Sequence, residues 1–242
     1  WRDGKPWSLS NQWEDNDSPN LACWQQSAVY ADDMWALQLE VQRDNGIATC
    51  TNPPGNVDYS AGEIRTYTAD SNPITTTSGT YGANMRIAPG PGVVTTLFFL
   101  SETNVPPYNT VASAGLTFFG SHPQTMLYQA QIKGKPGPEP LVPVALGFDA
   151  STGFHTYELV WNWQKSVDVY VDGVPRLTGM QDPGAPMSLW LNAWPCDARD
   201  WAVPYCRTNT DTRWKSTAFV HWLAYQKALP PAPPTPPTPA PP

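Results

Sequence analysis

Four cysteines, three histidines and one uncharged strand-like stretch are where this chain would have to hold metal or nucleophilic chemistry. The cysteines fall into two spaced pairs, Cys23 with Cys50 and Cys196 with Cys206, and none has the C-x-x-C spacing of a zinc site. His122, His155 and His221 are far apart in sequence, so no metal and no cofactor is expected. The stretch VASAGLTFFGS (111–121) follows the apolar run VVTTLFFL, alternates small and apolar residues, and has no charged side chain. An even cysteine count, little lysine and the sequon Asn16-Asp17-Ser18 point to an oxidising, secretory route, with Asn16 as a glycan acceptor. A start at Trp1 without Met fits a leader already removed.

The elements that must position any site are strands. Short segments such as GTYGANMRIAP, GVVTTLFFL, SAGLTFFG, TMLYQAQIKG, HTYELVWNWQ and STAFVHWLAYQK recur between turn signals, and none sustains a helical period over 12 residues. SVDVYVDGVPRL alternates apolar residues around Asp172-Gly173, the dipeptide that a type I′ hairpin turn requires. Many short strands without helices predict an all-β sandwich or jelly roll of antiparallel sheets. The 242 residues suffice for one such domain, placed at 1–229. Residues 230–242, PPAPPTPPTPAPP, lack the backbone N–H groups of a sheet or helix and are expected as a polyproline II tail. The net charge of −7 without a Lys/Arg cluster excludes nucleic acid and anionic membrane as partners. The longest apolar run, TTLFFL, is far short of the roughly 20 residues that span a bilayer.

LGFDASTGFHTYELVWNWQKSVDVYVDGVPRLT (146–178) resembles the core hairpin of the family-16 glycoside hydrolases, the bacterial lichenases and laminarinases. Leu191-Asn192-Ala193-Trp194 stands where that family has its MNLW-type strand, and the RDW that contains Asp200 and Trp201 is similar to its DDW. LACWQQSAVYADD and CTNPPGNVDYSAGEIRT resemble its two cysteine-bearing segments, which implies a Cys23–Cys50 disulfide. GTYGANMRIAPGPGVVTTLFFL also fits, so the resemblance spans nearly the whole domain in order. It implies a concanavalin-like jelly roll with a sugar cleft in one sheet. The tail resembles the Pro/Thr-rich segments of hydroxyproline-rich glycoproteins of plant and green-algal walls, with Pro231, Pro234, Thr235, Pro237 and Thr238 as hydroxylation or glycosylation candidates.

The family's catalytic signature is E-I-D-I-E followed by F-x-G, on alternate positions of one strand that share a face. Aligning Phe118-Phe119-Gly120 with F-x-G puts Ser113, Gly115 and Thr117 at the three acid positions. None of these can be an anionic nucleophile or a carboxylic proton donor at neutral pH. Glu102 follows the preceding strand rather than lying on it. The expectation is therefore a protein that is not an enzyme: a non-catalytic, secreted assembly subunit of an extracellular matrix, wall or fibril. Its partners would be copies of itself or another extracellular glycoprotein. The alternative is lectin-like binding of β-glucan or other glycans, and an active hydrolase or transglycosylase ranks third. For the cleft, the resemblance implies Glu63 and Arg65 (from GEIRT), Asn192, Trp194 and Trp201 as glycan contacts, with Trp194 stacking on a pyranose ring. The plainer reading makes Glu63–Arg65 an ion pair and Trp194 a filled wall. Cys196 and Cys206 would close a short loop at one end of the cleft, and SETNVPPYNT (101–110) is a stiff candidate for a partner contact.

Overall fold

The computed structural model describes residues 7–10, 22–31, 36–51, 54–68, 72–101, 111–196, 206 and 214–227, with the side chains of 44–49 and 51–56 excepted. Asn16, Glu102, Asp200, Trp201, the 102–110 loop and the 230–242 tail lie outside these residues. The described chain is all-β, with fifteen strands and one 3-10 turn at Gln26–Ala28. One sheet runs in the order β10 (Val142–Ala145), β9 (Thr125–Gln131), β8 (Ala112–Phe119), β7 (Val93–Ser101), β14 (Ser188–Pro195) and β5 (Pro54–Arg65). The path then continues through β4 (Leu37–Thr51), β15 (Lys215–Gln226), β6 (Gly79–Arg86), β11 (His155–Asn162), β12 (Ser166–Val171) and β13 (Val174–Gln181). The short strands β1 (Ser8–Leu9) and β2 (Ala22–Trp24) pair with β5, and β3 (Val29–Ala31) pairs with β4. This is the jelly-roll sandwich that the strand pattern and the resemblance imply. The one departure is that β2 lies parallel to β5.

Period-two burial explains the layering. On β11 the pattern alternates so that Tyr157, Leu159 and Trp161 point inward between half-buried neighbours. Tyr81 and Phe99 meet at 5.5 Å between ring centroids, Phe99 and Trp161 at 5.2 Å, and Phe118 and Tyr157 at 4.7 Å, so aromatic contacts knit the two sheets together. Of the eight tryptophans among the described residues, Trp24, Trp161, Trp190 and Trp194 are buried, whereas Trp222 is exposed. Both expected cysteine pairs are disulfides, Cys23–Cys50 and Cys196–Cys206. The first ties β2 to β4, and the second fastens the end of β14.

Strand β5 belongs to both sheets. Ser60 and Ala61 pair with Gln42 and Val41 of β4, whereas Gly62 and Glu63 pair with Ala193 and Asn192 of β14. Gly62 sits at the change of partner, where a Cβ atom would lie 2.6 Å from the Ala28 carbonyl oxygen, so glycine is required for close backbone approach.

The expected β12–β13 hairpin is present, with Asp172 at φ 52° and Gly173 at φ 74°, as a type I′ turn demands. The Asp172 carboxylate accepts hydrogen bonds from the Thr156 backbone N–H at 2.8 Å and from His155 Nδ1 at 2.7 Å, and the His155 ring stacks on Phe148. Burial pushes the Asp172 carboxyl up. The Thr156 N–H, the His155 ring and the Arg176 charge together outweigh burial and hold it below its ordinary value. A depressed carboxyl contributes stability above the unfolded-state value of 3.8 and loses it as pH falls through the folded value. The melting-temperature advantage of wild type over Asp172→Asn should therefore be constant near neutral pH and shrink below about pH 4. An advantage independent of pH down to 2 would contradict the assignment.

Candidate functional site

The outer face of the β10–β5 sheet is built from alternate residues of its strands, and the ladder register decides which of them meet. One row runs Thr117–Thr96–Asn192–Glu63 across β8, β7, β14 and β5, and the next runs Gly115–Phe98–Trp190–Arg65. The inward set of the same strands, including Leu116, Leu97, Leu191 and Ile64, is buried in the core. Glu63, Asn192, Thr96 and Thr117 keep only a few per cent of their surface exposed, so this row is covered rather than open to solvent.

The first row is polar and connected. Ser10 Oγ donates to Glu63 Oε1 at 2.5 Å, and Asn192 Nδ2 donates to Glu63 Oε2 at 2.9 Å. Thr96 Oγ1 donates to Asn192 Oδ1, and the Ser10 backbone N–H donates to the Glu63 carbonyl at 3.1 Å. A buried carboxylate is costly unless hydrogen-bonded, and this chain of donors meets that cost. Among the described residues, Glu63 is the carboxylate that this face carries.

The second row is aromatic. Trp190 stacks on Phe98 with centroids 5.8 Å apart, takes Tyr67 edge-on at 5.5 Å, and anchors its indole N–H on Ser188 Oγ at 2.8 Å. The Arg65 guanidinium lies 4.1 Å from the Tyr67 ring centroid and 5.0 Å from that of Trp190, a cation–π arrangement on two rings. The Arg65 head lies against two aromatic faces, and Glu63 accepts from Ser10 and Asn192.

Four of the five expected contact residues, Glu63, Arg65, Asn192 and Trp194, come together on β5 and β14; Trp201 lies outside the described residues. Trp194 is 7 % exposed, so it is closer to a filled wall than to an open stacking platform. Sequence reasoning missed Ser10, Thr96, Phe98 and Trp190. The last three were open to strand alternation: Trp190 lies two residues before Asn192, and Phe98 two after Thr96. Ser10 reaches Glu63 only through the β1–β5 pairing and has no local signal.

On β8, Ser113, Gly115 and Thr117 do occupy the cleft side of the strand, opposite Leu100, Phe98 and Thr96. A Cβ atom at Gly115 would sit 2.3 Å from Phe98 Cβ, so the absence of a side chain there is what lets Phe98 lie against Trp190.

These features define a two-sheet jelly roll with a polar row and an aromatic row side by side on the outer face of one sheet. The sequence profile of the glycosyl hydrolases family 16 matches residues 18–215, and the chain belongs to that family. It is 27% identical over 191 residues to a beta-glucanase of Paenibacillus polymyxa, covering 75% of each chain. It is 26% identical over 233 residues to a xylanase/beta-glucanase of Ruminococcus flavefaciens, covering 94% of this chain and 25% of that protein, so it spans only a quarter of that relative. Among solved structures, the Bacillus licheniformis beta-glucanase superposes with a TM-score of 0.72 at 20% identity, over 92% of both chains. A lichenase from a mouse hindgut metagenome gives a TM-score of 0.73 at 21% identity, over 94% and 96% of the two chains.

These findings correct the expectation of a non-catalytic assembly subunit that is not an enzyme. The relatives are named as glucanases and xylanases, and none of those reported is named as a matrix or fibril protein. The physical reason is that three positions on β8 are too narrow a base: they remove one arrangement of carboxylates without removing Glu63 from the cleft. The two disulfides are compatible with an extracellular protein.

Gly115→Ala should destabilise the protein by about 1–3 kcal/mol, because the added methyl has no room short of moving β7 or β8. Denaturant unfolding with an unchanged m-value measures this; a change under about 0.5 kcal/mol would show that the two strands part freely.

Proposed function

We propose that the protein is a β-glucan-directed glycosidase and that its sugar chain lies along the concave face, over β7, β14 and β5. The observation that carries this reading is the buried carboxylate of Glu63, fixed by Ser10 and Asn192 beside the Trp190–Phe98 stack. Asn192 and Thr96 supply groups of the kind that bind sugar hydroxyls, and aromatic surface supplies the apolar contact. Membership of a family whose reported relatives are named as glucanases supports the substrate class.

Retaining hydrolysis uses two carboxyl groups about 5–5.5 Å apart. Strand β8 offers none at Ser113, Gly115 or Thr117, so in this reading hydrolysis is a single displacement: Glu63 takes a proton from the attacking water as the water oxygen bonds to the anomeric carbon and the glycosidic C–O bond breaks, and the departing sugar oxygen takes its proton from a solvent water. The work is placed outside the cell, at a wall or matrix that contains β-glucan, in keeping with the disulfides and with the Pro/Thr-rich segment 230–242.

Barley β-glucan, lichenan and laminarin, each incubated with the full chain, should yield new reducing ends, and Glu63→Gln should lower the rate by roughly 10²-fold or more, the usual worth of a general base. Circular dichroism confirms that the variant is folded. No release above the buffer blank from any of the three glucans, or equal rates for wild type and variant, would overturn the reading.

A further inference from the structure

The opposite side of the sandwich carries an exposed aromatic strip that the cleft does not use. On β15 the register slips between Val220 and Trp222, so that the consecutive residues His221 and Trp222 both reach solvent. A bulge of this kind re-aims side chains. The Trp222 ring lies over Gly82 of β6, where a Cβ atom would be 3.4 Å from Cζ3, and it stays 39 % exposed. Phe154, 42 % exposed, faces His221 at 5.4 Å between centroids. The Arg86 guanidinium sits 4.3 Å from the Phe219 ring centroid and 5.7 Å from that of Phe154. Phe154 and Trp222 are two of only five large hydrophobic side chains exposed among the described residues. An aromatic cluster open to water on the last strand calls for a partner.

We propose that this strip docks the chain's own Pro-rich segment, residues 230–242, as a polyproline II helix folded back along β15. Strand β15 ends at Gln226, four residues past Trp222, and the Pro-rich run starts four residues further on. At about 3.3 Å per strand residue, the distance back from Gln226 is about 13 Å to Trp222 and about 23 Å to Phe219. Thirteen residues of polyproline II span about 40 Å, so the segment is long enough to reach back over the strip.

The chemistry matches as well as the reach. A run of prolines offers ring faces and carbonyl acceptors and almost no N–H donors. The strip offers aromatic faces at Trp222, Phe154 and Phe219, and donors at the Trp222 indole, Arg86 and His221. Aromatic-lined grooves bind polyproline II because the ligand is already ordered before it docks. Tethering makes the event intramolecular, at an effective concentration that can reach the millimolar range. The segment carries no charged side chain, so the cation at Arg86 meets no repulsion. This inference is independent of the reading of the concave face.

Small-angle X-ray scattering of the full chain across a concentration series tests it. Wild type should be monomeric and compact, and Trp222→Ala/Phe154→Ala should lengthen the maximum dimension by roughly 20 Å or more as the segment swings free. Changing Pro233, Pro234, Pro236 and Pro237 to Ser leaves the folded domain untouched and should give the same lengthening, which guards against misfolding of the aromatic variant. Equal dimensions for wild type and both variants would overturn the proposal. So would a particle mass that doubles with concentration and falls in the variants, since the strip would then hold a second copy's segment.

Discussion

The change of partner at Gly62 is the constraint on which the site depends. Within one strand, β5 passes from pairing with β4 to pairing with β14, and the only side chain that fits against the Ala28 carbonyl there is a hydrogen. Three residues later the strand ends, so Glu63 and Arg65 have one register in which to face Asn192 and Trp190. A slip of one residue would turn Glu63 into the core and Ile64 into the cleft. The Cys23–Cys50 disulfide fixes β2 beside β4 on the same side of the fold, and β2 pairs with β5 up to Ala61. Backbone geometry at a single glycine thus sets the direction of the Glu63 carboxylate.

From that register follow two neighbouring rows of different character. The polar row is a chain of donors ending on Glu63, and its burial strengthens each hydrogen bond while making any missing partner costly. The aromatic row holds Arg65 against the faces of Tyr67 and Trp190, and Glu63 accepts from Ser10 and Asn192 in the polar row. Gly115 belongs to this second row. Where a carboxylate would stand in an acid-bearing strand, this chain has space occupied by Phe98.

Much of this was legible in the sequence because period-two alternation is a local signal. The β12–β13 hairpin was readable from Asp172-Gly173 and the all-β class from the spacing of turn residues, while the Cys23–Cys50 disulfide came through the resemblance of its two segments to the family. Glu63, Arg65 and Asn192 were reachable through the resemblance of GEIRT and LNAW to family segments. The contact of Ser10 with Glu63 was not, since it joins residues 53 apart through a two-residue strand. For Trp194 the sequence left two readings, a sugar platform and a filled wall; only tertiary packing decides whether its face stays open, and here it is buried. The step from three replaced acids to an absence of enzymatic function treated one strand as the whole cleft. Sequence similarity over most of the domain to proteins named as glucanases is the broader observation.

The central claim is that the β7–β14–β5 face receives a glucan chain at Glu63 and Asn192. A crystal structure of the full protein grown with a mixed-linkage β-glucan tetrasaccharide tests it directly. The account predicts a sugar along these three strands, with ring hydroxyls in hydrogen-bond contact with Glu63 or Asn192. A tetrasaccharide seated elsewhere on the molecule, with the Ser10–Glu63–Asn192–Thr96 chain unchanged and out of its reach, would contradict it.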